Sequence, residues 1–186
     1  TFIIAGSNGV TYESSSVAYS APAAMAWLWK DHTSIDEAEE ITELARKIRP
    51  HYLAKCGGKY SSEWFFSKIL HCLRTSPEVF NAAYLWVECA DWIPAALTGT
   101  EHPDKLSVGV CAAGHKAMYN DDWGGYPDAE FLGQLAPELT KLRERLRQKA
   151  LTVDKPAGKL TREWAKRTGL QEGIPVAIGA FDAHLG

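Results

Sequence analysis

The sequence predicts an α/β fold dominated by helices, and three observations carry that prediction. Residues 34–48 place apolar side chains at helical spacing, residues 64–73 form a second and more apolar helical run, and the short apolar stretch 175–179 reads as a strand. With 186 residues, 46% of them hydrophobic, the chain can bury a real core and fits one domain or one large piece of one.

Taken in order, residues 1–5 and 10–19 are rich in β-branched and aromatic side chains and flank Gly6-Ser7-Asn8-Gly9, a turn signal, so a hairpin is expected. Residues 22–29 are apolar on most sides and are expected to start a short buried helix ending at Lys30-Asp31-His32. In the next helix Ser34 and Glu37 have the spacing of a capping box, Ile35, Ala38, Ile41, Ala45 and Ile48 form the apolar stripe, and Pro50 limits it. After a Gly57-Gly58 loop, Ser61 or Ser62 can cap an interior helix through Trp64, Phe65, Ile69, Leu70 and Leu73. Ser76-Pro77 opens a short helix in the favoured cap-then-proline order, and residues 84–97 enter the core before Gly99 stops them. Residues 100–126 lack clean periodicity and read as a long irregular region, a kind of segment that is often functional. Helices follow over 128–135 and 137–149, the second charged and solvated, then a strand near 151–153, a helix over 161–168 ended by Gly169, and a buried strand over 175–179.

Composition excludes several classes of function. The net charge is −3 and the Lys and Arg residues are scattered, so no basic stripe exists to track a nucleic-acid backbone. No run approaches the roughly 20 apolar residues of a membrane span, and residues 1–12 lack the basic and apolar regions of a signal peptide. Cys56, Cys72, Cys89 and Cys111 are widely spaced without a C-x-x-C pair, so buried free thiols in a cytoplasmic protein are expected, with the even count leaving a disulfide scaffold open, and no metal ligand set is read. The absence of an initiator Met, together with a chain that stops just after the last apolar run, reads as a piece of a longer protein.

Three stretches could carry chemistry. The segment 176–184 is an apolar strand that delivers Asp182 at its C-terminal end, where open α/β sheets place ligands; its carboxylate can accept a proton, and it reads equally as the cap of a following helix. Lys116, in Ala113-Gly114-His115-Lys116, can donate hydrogen bonds to hydroxyls or serve simply as a surface charge. Trp29 and Asp31 combine a flat aromatic face with a carboxylate, an arrangement suited to a sugar, although by itself it reads more readily as a core Trp beside a helix cap. The chain has no P-loop, no H-E-x-x-H, no G-x-S-x-G and no dinucleotide fingerprint.

Five ordered motifs together resemble the bacterial L-ribulokinases of the FGGY carbohydrate kinase family: Leu28-Trp29-Lys30-Asp31-His32-Thr33, Tyr60-Ser61-Ser62-Glu63-Trp64-Phe65, Cys89-Ala90-Asp91-Trp92-Ile93-Pro94, Ala113-Gly114-His115-Lys116 and Gly179-Ala180-Phe181-Asp182. Trp123-Gly124-Gly125 and Glu163-Trp164-Ala165 fit the same pattern, and the resemblance runs from about residue 25 to 186, leaving residues 1–24 outside it. It implies the N-terminal, sugar-binding lobe of a two-lobed actin-like ATPase built from ribonuclease-H-like domains, without the phosphate-binding strands that precede this segment in the family or the nucleotide lobe that follows it. It further implies transfer of the γ-phosphoryl of ATP, with Mg, to the terminal hydroxyl of a ketopentose such as L-ribulose. Asp182 would be the general base, Lys116 would contact the sugar, and Trp29 and Asp31 would line the same region. A sugar-binding or interaction module without the reaction, a kinase for another ketose such as xylulose, and a homodimer of the full-length enzyme stay open.

Overall fold

The computed structural model describes residues 22–24, 26–146 and 149–185, and the backbone of residues 2–5. The expected apolar stripe folds into α1 (Ile35–Ile48), which buries Ala38, Ile41 and Ala45 against α3 (Phe65–Thr75). Burial of Phe65, Phe66, Ile69, Leu70 and Cys72 makes α3 the interior helix that its composition predicts, each large side chain contributing about 1.5–3 kcal/mol. Between them lies α2 (Pro50–Ala54), with Pro50 at its first position.

The expected caps work differently. Ser34 does not cap α1; its buried hydroxyl donates to the Ser62 carbonyl at 2.9 Å. Glu37 turns instead toward α3, pairing with His71 at 3.1 Å and Arg74 at 3.5 Å. Neither Ser61 nor Ser62 caps α3, which begins only at Phe65; Ser62 Oγ meets His32 Nδ1 at 2.9 Å. At both helix starts a tertiary partner has outcompeted the local one.

Pro77 opens α4 (Pro77–Ala82) at its first position as predicted, although the Ser76 side chain makes no capping hydrogen bond. The apolar run after it splits into a fully buried strand β2 (Leu85–Glu88) and a helix α5 (Cys89–Thr98) that ends on Gly99 in the left-handed conformation. Antiparallel to β2 runs β1 (Phe2–Ala5), with Ile3 opposite Val87. The second half of the expected hairpin, residues 10–19, lies outside the described residues. Residues 22–24 form a single 3₁₀ turn rather than a buried helix, and Leu28 and Trp29 are exposed.

The stretch expected to be irregular contains α6 (Val110–Lys116) and a 3₁₀ turn at Asp121–Trp123. Then come α7 (Ala129–Leu135), capped by Asp128, and α8 (Pro137–Arg145), which buries Leu139 and Leu142 and leaves most of its charges exposed, with Arg143 half-buried and donating to the Pro127 carbonyl at 2.9 Å. Asp128 also ties α7 back to α2: Arg49 Nε reaches its carboxylate at 2.7 Å, and the Tyr52 hydroxyl donates to it at 2.9 Å.

No strand forms at 151–153; Leu151 makes an isolated parallel bridge to Gly109. The strand lies later, as β3 (Pro156–Lys159), and pairs antiparallel with β4 (Pro175–Ala177) across a bulge. Between them α9 (Arg162–Thr168) runs from its Thr161 cap to Gly169, as expected. The strand β4 is shorter and more exposed than predicted, and only Ile178 beyond it is buried. Of the four free thiols, Cys72 alone is buried, a correction to the expected set.

Helix α5 touches each of the four strands among the described residues. Pro94 inside it has no N–H for the Ala90 carbonyl, and the backbone of Gly179 packs against that carbonyl. A Cβ at position 179 would stand 1.7 Å from Ala90 O, and one at Gly109 would stand 2.6 Å from Gly179 O. The connection from β4 to α10 (Asp182–Leu185) is thereby pressed onto the start of α5. Gly179→Ala is expected to lower the thermal midpoint by several degrees, because the clash is with backbone. Gly114→Ala, whose new methyl would meet Tyr119 O at an ordinary 3.6 Å, should not lower it. Equal midpoints for the two variants would contradict this packing.

Candidate active site

Three elements converge at this junction: the end of β2 with the start of α5, the end of α6, and the start of α10. They enclose a cleft of about 540 Å³ lined by Trp29, Trp64, Glu88, Lys116, Phe181 and Asp182, among others. Three of the four residues singled out from sequence therefore meet in one place.

Asp182 is the first residue of α10 and is exposed, with Oδ1 accepting from the Ala183 N–H at 2.8 Å. The residue opens a short helix and also borders the cleft. Lys116 closes α6; its Nζ donates to Glu88 Oε2 at 3.2 Å and stands 4.7 Å from the centre of the Phe181 ring. Trp29 presents a ring that is half exposed, with Lys30 Nζ 5.6 Å from its centre.

Asp31 stands apart. It lines a neighbouring depression of about 580 Å³ with Trp27, Leu28 and Lys30, and its carboxylate is engaged by the Thr33 hydroxyl at 2.6 Å and the Thr33 N–H at 2.8 Å. Burial disfavours that charge, but the two Thr33 bonds outweigh it and hold the carboxyl below its ordinary range. The Asp31 carbonyl accepts from Lys68 Nζ at 2.5 Å, and Lys68 is wholly buried, which depresses its pKa. Lys68 and Asp31 together fix the turn that carries Trp29.

Sequence reasoning missed Glu88, Trp64 and His115. Trp64 stacks edge-on against both Tyr60, at 5.1 Å, and His115, at 5.4 Å. Burial, with His184 and Lys116 nearby, keeps the His115 imidazole below its ordinary pKa and so neutral at pH 7. A readable signal existed for Glu88: like Asp182, it is an acid at the C-terminal end of an apolar strand. It stayed hidden because residues 84–97 read as one apolar stretch rather than as a strand followed by a helix.

Two carboxyls are buried at the start of α5. Glu88 is 5% exposed; burial raises its pKa and the Lys116 ammonium pulls it back. Asp91 is 4% exposed and accepts the Gly109 N–H at 2.7 Å; burial, offset in part by that bond and reinforced by Glu88, pushes it up to about 8. No helix among the described residues is long and apolar enough to cross a membrane.

Comparison with known proteins places this geometry in context. The pattern of the N-terminal domain of the FGGY family of carbohydrate kinases matches residues 19–186. The chain is 48% identical over 166 residues to a ribulokinase of Vibrio parahaemolyticus, covering 89% of this chain and 29% of that protein. It is 41% identical over 165 residues to a ribulokinase of Shouchella clausii, covering 88% and 28%. The chain thus spans less than a third of the length of these relatives. Among solved structures, the xylulose kinase from Bifidobacterium adolescentis superposes with a TM-score of 0.71 at 14% identity over 98% of this chain and 39% of that one. The ligand-bound xylulose kinase from Lactobacillus acidophilus gives 0.69 at 21%, over 99% and 33%. At these identities the likeness is one of fold: the α/β, actin-like ATPase architecture expected from the motifs.

An acid whose pKa is raised by folding takes up a proton as the chain folds, so its contribution to stability is greatest below about 3.8 and is lost as pH rises through about 8. Asp91→Asn keeps an acceptor for the Gly109 N–H and removes the ionisation. The thermal midpoint of the variant relative to wild type should therefore be several degrees more favourable at pH 9 than at pH 5. A difference that does not change with pH would contradict the buried-acid account.

Proposed function

The chain belongs to the FGGY family of carbohydrate kinases, and on that premise we propose that it carries the sugar site and the general base of an ATP-dependent ketopentose kinase. The acceptor is L-ribulose and the product L-ribulose 5-phosphate, a choice supported by the ribulokinase relatives. The observation that carries the reading is the meeting of a carboxylate, an ammonium and an aromatic face in one cleft of sugar size.

Each group has a distinct task. The Trp29 ring supports the apolar C–H face of the sugar. Lys116 donates hydrogen bonds to sugar oxygens, and Asp31 acts through the turn that holds Trp29. Asp182, exposed and open to the cleft, accepts the proton of the terminal hydroxyl as that oxygen becomes the nucleophile. Phosphoryl transfer depends mostly on positioning and charge neutralisation, so a base that orients one hydroxyl suffices on this side of the reaction.

When bound, ATP would supply the phosphoryl group and magnesium would neutralise its charge. Among the described residues no group of three or more His, Cys, Asp or Glu side chains converges as a metal site. The cleft residues fit the acceptor sugar, and magnesium, which takes most of its ligands from phosphates and water, would be held chiefly with the nucleotide. We place the chain in the N-terminal, sugar-binding lobe of a longer cytoplasmic kinase whose other parts contact the nucleotide, with a homodimer open to that full-length enzyme.

In the full-length protein, Asp182→Asn should lower kcat by about 100-fold or more while the sugar KM moves only a few-fold. Near-normal turnover by this variant removes Asp182 from the base role. A wild-type protein that binds L-ribulose saturably and transfers no phosphoryl group would establish the non-catalytic alternative, and a higher kcat/KM for xylulose would reassign the sugar.

A further inference from the structure

Lysine carries its charge on a flexible four-carbon stem, and an ammonium that must meet a sugar in one geometry has to be stopped from swinging. Lys116 is held at both ends by buried groups from different parts of the chain. Its carbonyl accepts from the Tyr60 hydroxyl at 2.5 Å, and the same hydroxyl accepts the Phe66 N–H at 2.9 Å, which locks the end of α6 to the start of α3. Tyr60 is 0% exposed. At the other end Nζ donates to Glu88 Oε2 at 3.2 Å, with the face of Phe181 also against it.

Glu88 is well placed for this role. It ends β2 and immediately precedes α5, where the partial positive charge of a ten-residue helix and the Lys116 ammonium both work against the burial that raises its pKa. The neighbouring acid, Asp91, gives up its charge instead, being pushed up to about 8. At the start of α5 the group that meets the ammonium is thus the Glu88 carboxyl, 3.2 Å from Nζ, and the Glu88 side chain is only 5% exposed. An ammonium has three N–H donors; the Glu88 bond uses one and, by fixing its direction, fixes the other two.

We propose that Glu88 is a positioning residue that holds the Lys116 ammonium in place toward the sugar, and so sets sugar affinity rather than the rate of transfer. The inference rests on the reading that Lys116 contacts the sugar. Phe181, one residue before Asp182, packs on the same ammonium, so Glu88, Lys116 and Phe181 form one wall of the cleft.

The test uses steady-state kinetics of the full-length kinase with L-ribulose, with a thermal melt of each variant. Glu88→Gln keeps the size and shape of the side chain and removes its charge. It should raise the sugar KM about tenfold while kcat stays within about threefold. Lys116→Met should raise KM at least as far, and the double variant should be no worse than Lys116→Met alone, since the two residues act as one unit. Glu88→Asp, which keeps the charge and shortens the reach, should give an intermediate KM; it carries the test if Glu88→Gln does not attain the wild-type fold. A wild-type KM in Glu88→Gln, or losses that add in the double variant, overturns the positioning role while leaving the sugar-site reading intact. If Lys116→Met itself leaves KM unchanged, the reading of Lys116 fails and the role of Glu88 fails with it.

Discussion

A side chain at position 179 has nowhere to go. The Gly179 backbone lies so close to the first turn of α5 that a Cβ would fall 1.7 Å from the Ala90 carbonyl oxygen, and Gly109 is pressed from the other side against Gly179 O. Pro94 is part of the same constraint: a helix-interior proline withdraws its N–H from that carbonyl and pushes it outward. Everything that makes the cleft follows from the contact. The segment after β4 cannot move away from α5 without opening a gap, so Phe181 reaches the Lys116 ammonium and Asp182 is delivered beside the end of β2.

Charge in this region is arranged by burial. One ammonium and two carboxyls are packed around the start of α5, and the cost of burying unpaired charge decides their states. Glu88 keeps a cation within hydrogen-bonding distance, Asp91 has a backbone N–H and moves toward its neutral form, and His115, between aromatic rings and positive neighbours, is neutral. The result is a cleft whose fixed donor and acceptor groups suit a polyhydroxylated, uncharged molecule. Its aromatic surfaces, Trp29, Trp64 and Phe181, suit the apolar faces of the same molecule.

Much of the helical frame was legible in the sequence because it rests on local signals. The stripe of α1, the proline that opens α4, and the left-handed glycines that end α5 and α9 all act over a few residues. What was not legible depended on tertiary partners. Ser34 and Glu37 have the spacing of a capping box, yet one bonds to Ser62 and the other to His71 and Arg74, groups far away in sequence. The strand sought at 151–153 appears at Pro156–Lys159, where a glycine allows close packing on Thr98, a reason invisible to β-propensity. At the site, Asp182 and Lys116 were singled out through motifs and strand-end logic and both line the cleft, whereas Asp31 was grouped with Trp29 by adjacency. Thr33 and Lys68 hold Asp31 outside the cleft in which Trp29 stands.

The central claim is that the carboxylate at the start of α10 and the ammonium at the end of α6 act on one sugar. A crystal structure of the full-length protein with L-ribulose bound tests it most directly. The account predicts the sugar in the cleft, its terminal hydroxyl within hydrogen-bonding distance of Asp182 and another of its oxygens on Lys116 Nζ. A sugar bound outside this cleft, or inside it with the terminal hydroxyl turned away from Asp182, would contradict the account.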